Sequence, residues 1–252
     1  MNYRTEVIND LTCHILDELP AGQSPRNIVV LCHGYGASGT DLVPLGQMLL
    51  RHPKMASTVQ LLFPEAPLSL EELGMPDGRA WWPLDMYRLQ KAVALGTFRD
   101  LRNDCPPQLP AAREKLRGLV EQWSLRSSIP LDRFVLGGFS QGAMLATDVT
   151  LQFDSNTAGL VVLSGTLLNE KVWQDRAGHH AALRVFQSHG TDDQILPFDA
   201  AGSLRDMLNQ SGVVVDFMPF NGGHEIPFPV LNRFGTFLQE VFDDGVDDGT
   251  NA

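Results

Sequence analysis

Short runs of β-branched and aliphatic residues recur along the chain at Ile28 to Cys32, Val59 to Phe63, Phe134 to Gly138, Leu160 to Leu163, Leu183 to Gln187 and Val213 to Phe217. Runs of this length between turn residues read as strands. Between several of them apolar residues return every three or four positions over helix-length segments: Leu42 to Leu50, Ala111 to Trp123, Ala143 to Leu151 and Ala200 to Leu208. Strand alternating with helix predicts a mainly parallel, twisted sheet covered by helices on both faces. Met1 to Leu19 alternates polar and apolar residues instead, which predicts one or two antiparallel strands ahead of the parallel part. From residue 64 to 110, proline, glycine and paired aromatics break any long period, apart from a helical pattern over Met86 to Leu101. That stretch is expected to be a lid-like insertion over the sheet. Residues 1–242 are read as a single α/β domain, and the acidic, glycine-containing residues 243–252 as a disordered tail.

Composition narrows the partners. A chain of 252 residues with 43% hydrophobic content can bury one large core. Its 19 basic residues against 30 acidic ones give a net charge of -11, which repels a phosphate backbone and excludes nucleic acid as a natural partner. The longest apolar runs are strand-sized, well short of the roughly 18 residues of a membrane span, so no stable membrane insertion is expected. Met1 to Leu19 lacks the basic, apolar and small-residue regions of a signal peptide. The three cysteines, Cys13, Cys32 and Cys105, are far apart and form no CxxC pair; reduced thiols in a cytoplasmic protein are the expectation. Between Arg88 and Arg117, seven basic residues face three acidic ones. A solvated face is the first reading of this segment, and a patch for an anionic membrane or acidic partner the second.

The chemistry enters at Phe134-Val135-Leu136-Gly137-Gly138-Phe139-Ser140-Gln141-Gly142, where an apolar strand runs into Gly-x-Ser-x-Gly and then into a helical pattern. A chain with 23 glycines can produce such a turn by chance, but the strand before it and the helix after it are the context the motif requires. A serine on so tight a turn has its hydroxyl pushed clear of its neighbours, while the flanking glycines remove side chains where strand and helix approach. The hydroxyl then needs an imidazole base oriented by a carboxylate, and in this context the order along the chain is serine, acid, histidine. Ser188-His189-Gly190-Thr191-Asp192-Asp193 offers an acid after one strand, and Asn221-Gly222-Gly223-His224 offers a histidine after the next. Spacing alone leaves Asp192 and Asp193 both open. His14, His52, His179 and His180 have no supporting context, and His189 is expected to pack or hydrogen-bond locally. Charge developing on the substrate oxygen calls for two N–H donors. The N–H of Gln141, at the start of a helix, is one candidate, and that of Tyr35, in the glycine-rich loop His33 to Gly39, is the other. Thr40 or Asp41 is expected to cap the helix that follows this loop.

Taken together, His33-Gly34-Tyr35-Gly36, Phe63-Pro64-Glu65-Ala66-Pro67, Gly138-Phe139-Ser140-Gln141-Gly142, His189-Gly190-x-x-Asp193 with Pro197, and Gly223-His224 resemble the phospholipase/carboxylesterase family of α/β hydrolases. That family includes acyl-protein thioesterases and bacterial carboxylesterases, and the resemblance spans about Arg26 to Val241. It implies an α/β-hydrolase fold, Asp193 as the acid, Tyr35 and Gln141 as oxyanion donors, no metal and no organic cofactor. It further implies a serine esterase acting on a small-molecule or lipid-like carboxylic ester or thioester. The pattern departs from the family at Trp81-Trp82-Pro83-Leu84-Asp85, in the insertion. Trp81, Trp82, Leu73 and Met75 fit either the wall of an acyl pocket or the insertion's own small core, with core preferred for Met75. A lysophospholipase or amide hydrolase with the same triad, and a non-catalytic binding protein on the same scaffold, are the competing readings.

Overall fold

The computed structural model describes residues 1–85, 91 and 101–243. Its strands are β1 (Asn2–Ile8), β2 (Leu11–Asp17), β3 (Asn27–Cys32), β4 (Val59–Pro64), β5 (Leu68–Ser69), β6 (Arg79–Ala80), β7 (Phe134–Phe139), β8 (Gly159–Leu163), β9 (Arg184–Gly190) and β10 (Val214–Phe220). The helices are α1 (Val43–Leu49), α2 (Pro53–Thr58), α3 (Leu109–Ser127), α4 (Gln141–Gln152), α5 (Glu170–Ala177), α6 (Phe198–Gln210) and α7 (Phe228–Asp243). The described residues form one sheet of eight strands in the order β1-β2-β4-β3-β7-β8-β9-β10, with β5 and β6 as a separate ribbon. β1, β2 and β4 pair antiparallel, and every pairing from β4 to β10 is parallel. The hairpin expected at the start is closed by Asn9 and Asp10, both at positive φ, a conformation these two residue types accept readily.

The side chains of the central strands divide by the two-residue period of the pleat. Ile28, Val30, Phe134, Leu136, Leu160 and Val162 join α3, α4, α5 and α6 on one face, while Val29, Leu31, Val135, Val161 and Leu163 join α1, α2 and α7 on the other. Both faces are therefore dry, which is why these strands read as unbroken apolar runs rather than as polar-apolar alternation.

Several expectations are corrected. β9 runs to Gly190, beyond the expected end at Gln187, because Ser188, His189 and Gly190 stay in register with Met218, Pro219 and Phe220 of β10. Neither Thr40 nor Asp41 caps α1 through its side chain. Thr40 gives only its carbonyl to the Val43 N–H at 3.0 Å, and Pro44 in the first turn removes one of the N–H groups a cap would serve. The basic segment is not simply a solvated face. Arg113 donates to the buried Asp148 at 2.5 and 3.2 Å, and Asp148 also accepts the Trp173 indole N–H at 2.8 Å, tying α3, α4 and α5 together. Lys115 pairs with Asp10 at 3.6 Å and Arg117 with Glu121 at 2.8 Å. Arg88 and Arg99, the body of the helix expected over Met86 to Leu101, and the tail beyond Asp243 lie outside the described residues.

The first turn of α4 is pressed onto the end of β3. A Cβ at Gly142 would fall on the Cys32 carbonyl oxygen and within 2.5 Å of the His33 carbonyl oxygen, both of them backbone atoms that cannot swing away. Gly142→Ala is accordingly expected to destabilise the protein by about 3 kcal/mol or more through overpacking. Urea denaturation checks this, and a variant within about 0.5 kcal/mol of the parent contradicts it.

Candidate active site

Ser140 stands between β7 and α4 with φ 55° and ψ -120°, a conformation that side-chain-bearing residues seldom adopt. Neighbours on every side hold it there. Its N–H donates to the Leu163 carbonyl at 2.9 Å, and its own carbonyl accepts the N–H groups of Ala143 and Met144 at 3.0 and 3.2 Å. Gln141 is the first residue of the helix, where the N–H has no acceptor within the helix itself.

Opposite this turn runs the loop after β3. A Cβ at Gly34 would lie 3.4 Å from the Ser140 Cβ, so the residue before Tyr35 rests against the serine. The Gly36 and Ala37 N–H groups donate to the carbonyls of Arg79 and Gly34, and the Arg79 N–H donates back to Ala37 at 3.0 Å. The Tyr35 N–H takes no backbone acceptor among the described residues. His33 pins the base of the loop: its Nδ1–H donates to Gly34 O at 2.8 Å, and its Nε2 accepts the Ala66 N–H at 3.1 Å. Burial pushes its pKa down and outweighs the opposing Gly34 bond, in keeping with a ring that both donates and accepts.

The acid and the histidine come from neighbouring strand ends stitched together by backbone. Thr191 N–H donates to Phe220 O at 2.8 Å and Asp192 N–H to Gly222 O at 3.0 Å. A side chain at Gly190 would strike the carbonyls of Gly222 and Gly223, so only glycine lets the two loops approach this closely. Asp193 is buried, and its Oδ2 accepts the His224 Nδ1–H at 2.7 Å. Its Oδ1 accepts the N–H groups of Ile195 and Leu196 at 2.8 and 2.9 Å. Burial raises the carboxyl's pKa, but hydrogen bonds from His189, His224 and the Leu196 N–H more than offset it and hold the group well below the ordinary carboxylate range. Asp192, the neighbour that spacing left open, is exposed and meets Thr191. The His224 ring, 16% exposed, lies 4.7 Å from the Phe139 ring and therefore over the residue next to Ser140.

The insertion contributes differently from expectation. Trp81 is 1% exposed and faces inward. Its indole N–H donates to His33 O at 3.0 Å, so it anchors the loop before Tyr35 instead of walling a pocket. The Gln141 side chain grips the same segment: Oε1 accepts the Trp81 N–H at 2.9 Å and Nε2 donates to Trp82 O at 2.8 Å. Trp82 does border an open cavity of about 290 Å³, with Leu84, Leu101, Cys105, Met144 and Leu168 among the other walls. Leu73 is 64% exposed on a single helical turn and forms no part of a buried wall. Met75, expected in the insertion's core, sits against Gly36.

His14, His180, Cys13 and Cys32 serve the fold, while His52, His179 and Cys105 are exposed. His180 is buried between Asn156 and Leu151 O at 2.8 and 3.2 Å, and His14 meets the Tyr3 hydroxyl at 2.7 Å. Cys13 and Cys32 are buried free thiols, and burial pushes Cys13 up to about 12. Sequence reasoning missed the side chain of Gln141, the pin made by His33 and the second histidine on Asp193.

The model of the phospholipase/carboxylesterase family matches residues 19–242. The acyl-protein thioesterase 1 of Eremothecium gossypii is 28% identical over 225 residues, 88% of this chain and 90% of its own. That of Cryptococcus neoformans var. neoformans serotype D is 30% identical over 184 residues, 72% of each chain. Among solved structures, esterase PE8 superposes with a TM-score of 0.73 at 23% identity, covering 96% of this chain and all of that one. A carboxylesterase from Mesorhizobium loti gives 0.71 at 19% identity, over 95% and 99%. Both show the α/β-hydrolase fold for this chain. With the family pattern matched over nearly its whole length, the chain belongs to the phospholipase/carboxylesterase family of ester-hydrolysing enzymes.

Proposed function

We propose that the protein is a serine hydrolase that cleaves carboxylic esters or thioesters through an acyl-enzyme, with Ser140 as nucleophile, His224 as general base and Asp193 as the orienting acid. The observation that carries this reading is the 2.7 Å bond from His224 Nδ1–H to the buried Asp193 carboxylate. It keeps the proton on Nδ1 and leaves the Nε2 lone pair for the serine hydroxyl. Ser140 Oγ adds to the substrate carbonyl as its proton passes to Nε2, and the tetrahedral oxyanion is met by the N–H groups of Tyr35 and Gln141. Collapse expels the alcohol or thiol, which takes the proton from His224. A water activated by the same ring then releases the carboxylic acid and restores the serine.

The acyl group is assigned to the cavity bordered by Trp82 and Met144, because Met144 lies in the first turn of α4, the helix that follows Ser140, and most of the lining side chains other than Asp85 and Asp104 are apolar. Relatives named acyl-protein thioesterase support a lipid-like acyl chain and a thioester among the substrates. The excess of negative charge argues against nucleic acid as a partner. The free cysteines support a cytoplasmic location, and no helix among the described residues is long and apolar enough to cross a membrane. The test is labelling with a fluorophosphonate followed by peptide mapping, with a panel of short- and long-chain esters and thioesters run alongside. The reading expects the label on Ser140 and turnover of at least one member of the panel. A label elsewhere, or none, overturns it.

A further inference from the structure

A second histidine reaches the carboxylate that holds His224. His189, the penultimate residue of β9, is 0% exposed, and its Nε2 lies 2.8 Å from the Leu196 carbonyl oxygen and 3.2 Å from Asp193 Oδ2. Both are acceptors, so this nitrogen carries a proton whichever takes the larger share. Nδ1 of the same ring is buried without a hydrogen-bond partner, so the reverse tautomer would strand an N–H there and face a lone pair with two acceptors. The tautomer is fixed by its surroundings.

Asp193 is therefore held by three hydrogen bonds, from the Ile195 and Leu196 N–H groups on Oδ1 and from His224 on Oδ2, and the His189 N–H, bonded to the Leu196 carbonyl, stands as a fourth donor 3.2 Å from Oδ2. Leu196 is engaged from both sides, its N–H on Asp193 and its carbonyl on His189, so the loop from Gly190 to Leu196 is closed by two side chains. The edge of Phe198 from α6 packs against the His189 ring at 6.3 Å between centroids, and Pro219 stands in register with His189 on β10. Among the described residues the titratable group that faces it is Asp193, through Oδ2, the same oxygen that holds His224.

We infer that His189 is a positioning residue for the reaction at Ser140: it sets the rotamer of Asp193 and takes up part of its charge, and through Asp193 it fixes where His224 points and how tightly the imidazolium formed during turnover is held. The inference rests on the proposed serine-hydrolase function. His189 touches neither substrate nor the reacting atoms, so the effect belongs in kcat and in the pH profile and not in KM.

The experiment compares three variants with the full-length parent on an activated ester. His189→Phe keeps a buried ring and loses the donor. It is expected to lower kcat about 10- to 100-fold, the range of a hydrogen bond to a charged group, with KM unchanged. A carboxylate with one donor fewer holds the imidazolium more tightly, so the acid limb of kcat/KM moves to higher pH. His189→Gln can place an amide N–H where Nε2 now lies, and is expected to restore most of kcat and return the acid limb towards the parent's. His189→Asn is polar but too short to do so; it is expected to behave as the phenylalanine variant does and replaces it if that variant fails to fold. Acid limbs that superimpose across folded variants, or a glutamine variant no better than asparagine, overturn the inference. A parent without fluorophosphonate labelling at Ser140 fails the proposed function and carries this inference down with it. A labelled, active parent leaves His189 alone at issue.

Discussion

Ser140→Ala is expected to abolish the pre-steady-state burst on an activated ester and to lower kcat by about 10⁵-fold or more, the range found when a triad nucleophile is removed. The strained backbone at 140 does not depend on the hydroxyl. Alanine has the same Cβ, and the bonds from the 140 N–H to Leu163 and from Ala143 and Met144 to the 140 carbonyl are all main-chain. Stability is therefore expected to stay within about 0.5 kcal/mol of the parent, so that loss of rate cannot be attributed to unfolding. Stopped-flow release of the leaving group gives the rate and urea denaturation the stability. A folded variant that keeps a burst, or loses less than about 100-fold in kcat, removes Ser140 from the role of nucleophile.

That Asp193 and His224 stand after neighbouring strand ends was legible because such ends are marked by apolar runs giving way to glycine. The divided core was legible for a similar reason: both faces of the sheet are covered, so its strands lack polar positions. Helix α7 was equally readable and went unread. Val230, Leu231, Phe234, Phe237, Leu238, Val241 and Phe242 recur at helical spacing and all are buried, with Pro229 in the first turn, where a proline is tolerated. The choice of Asp193 over Asp192 was not readable from spacing. It depends on which of two adjacent side chains turns inward, and that is set by the Gly222 carbonyl taking the Asp192 N–H and by the two N–H groups that fix Asp193 Oδ1.

What lay furthest from the sequence is the use made of the insertion. Trp81 and Trp82 look like lid or pocket residues because they are large, apolar and surrounded by loop. Their main-chain groups are instead clamped by Gln141, the residue next to Ser140, while the Trp81 indole reaches the loop that carries Tyr35. The two segments expected to supply oxyanion donors are thus joined through a third. No spacing rule connects positions 33, 81 and 141, since the link is made of buried polar groups finding partners wherever the fold brings them. Such a network holds donors in place before charge develops, which is what gives an oxyanion site its effect.

The same saturation of partners makes Asp193→Asn more damaging than its size suggests. An amide presents one acceptor and one donor, whereas all four groups around Asp193 are donors. With its oxygen towards Ile195 and Leu196, the asparagine NH₂ meets His189 and His224. That arrangement forces His224 to accept at Nδ1 and so puts the proton on Nε2, where the base is needed. With the oxygen towards the histidines, the NH₂ confronts two backbone N–H groups. Either way a buried donor faces a donor, at about 2–4 kcal/mol of stability, and kcat is expected to fall about 10⁴-fold, as a wrong-tautomer histidine requires. The loss of stability should also depend on pH. The Asp193 carboxyl is held below its ordinary range in the folded state, so in acid the unfolded chain binds the proton first. Its contribution is complete above about pH 4, the unfolded carboxylate value, and drains away as pH falls towards the lower folded value. The gap between parent and asparagine variant in urea denaturation is therefore expected to be widest near neutrality and to narrow below about pH 4. A kcat within tenfold of the parent, or a gap independent of pH, would show that this carboxylate neither orients His224 nor carries the charge assigned to it.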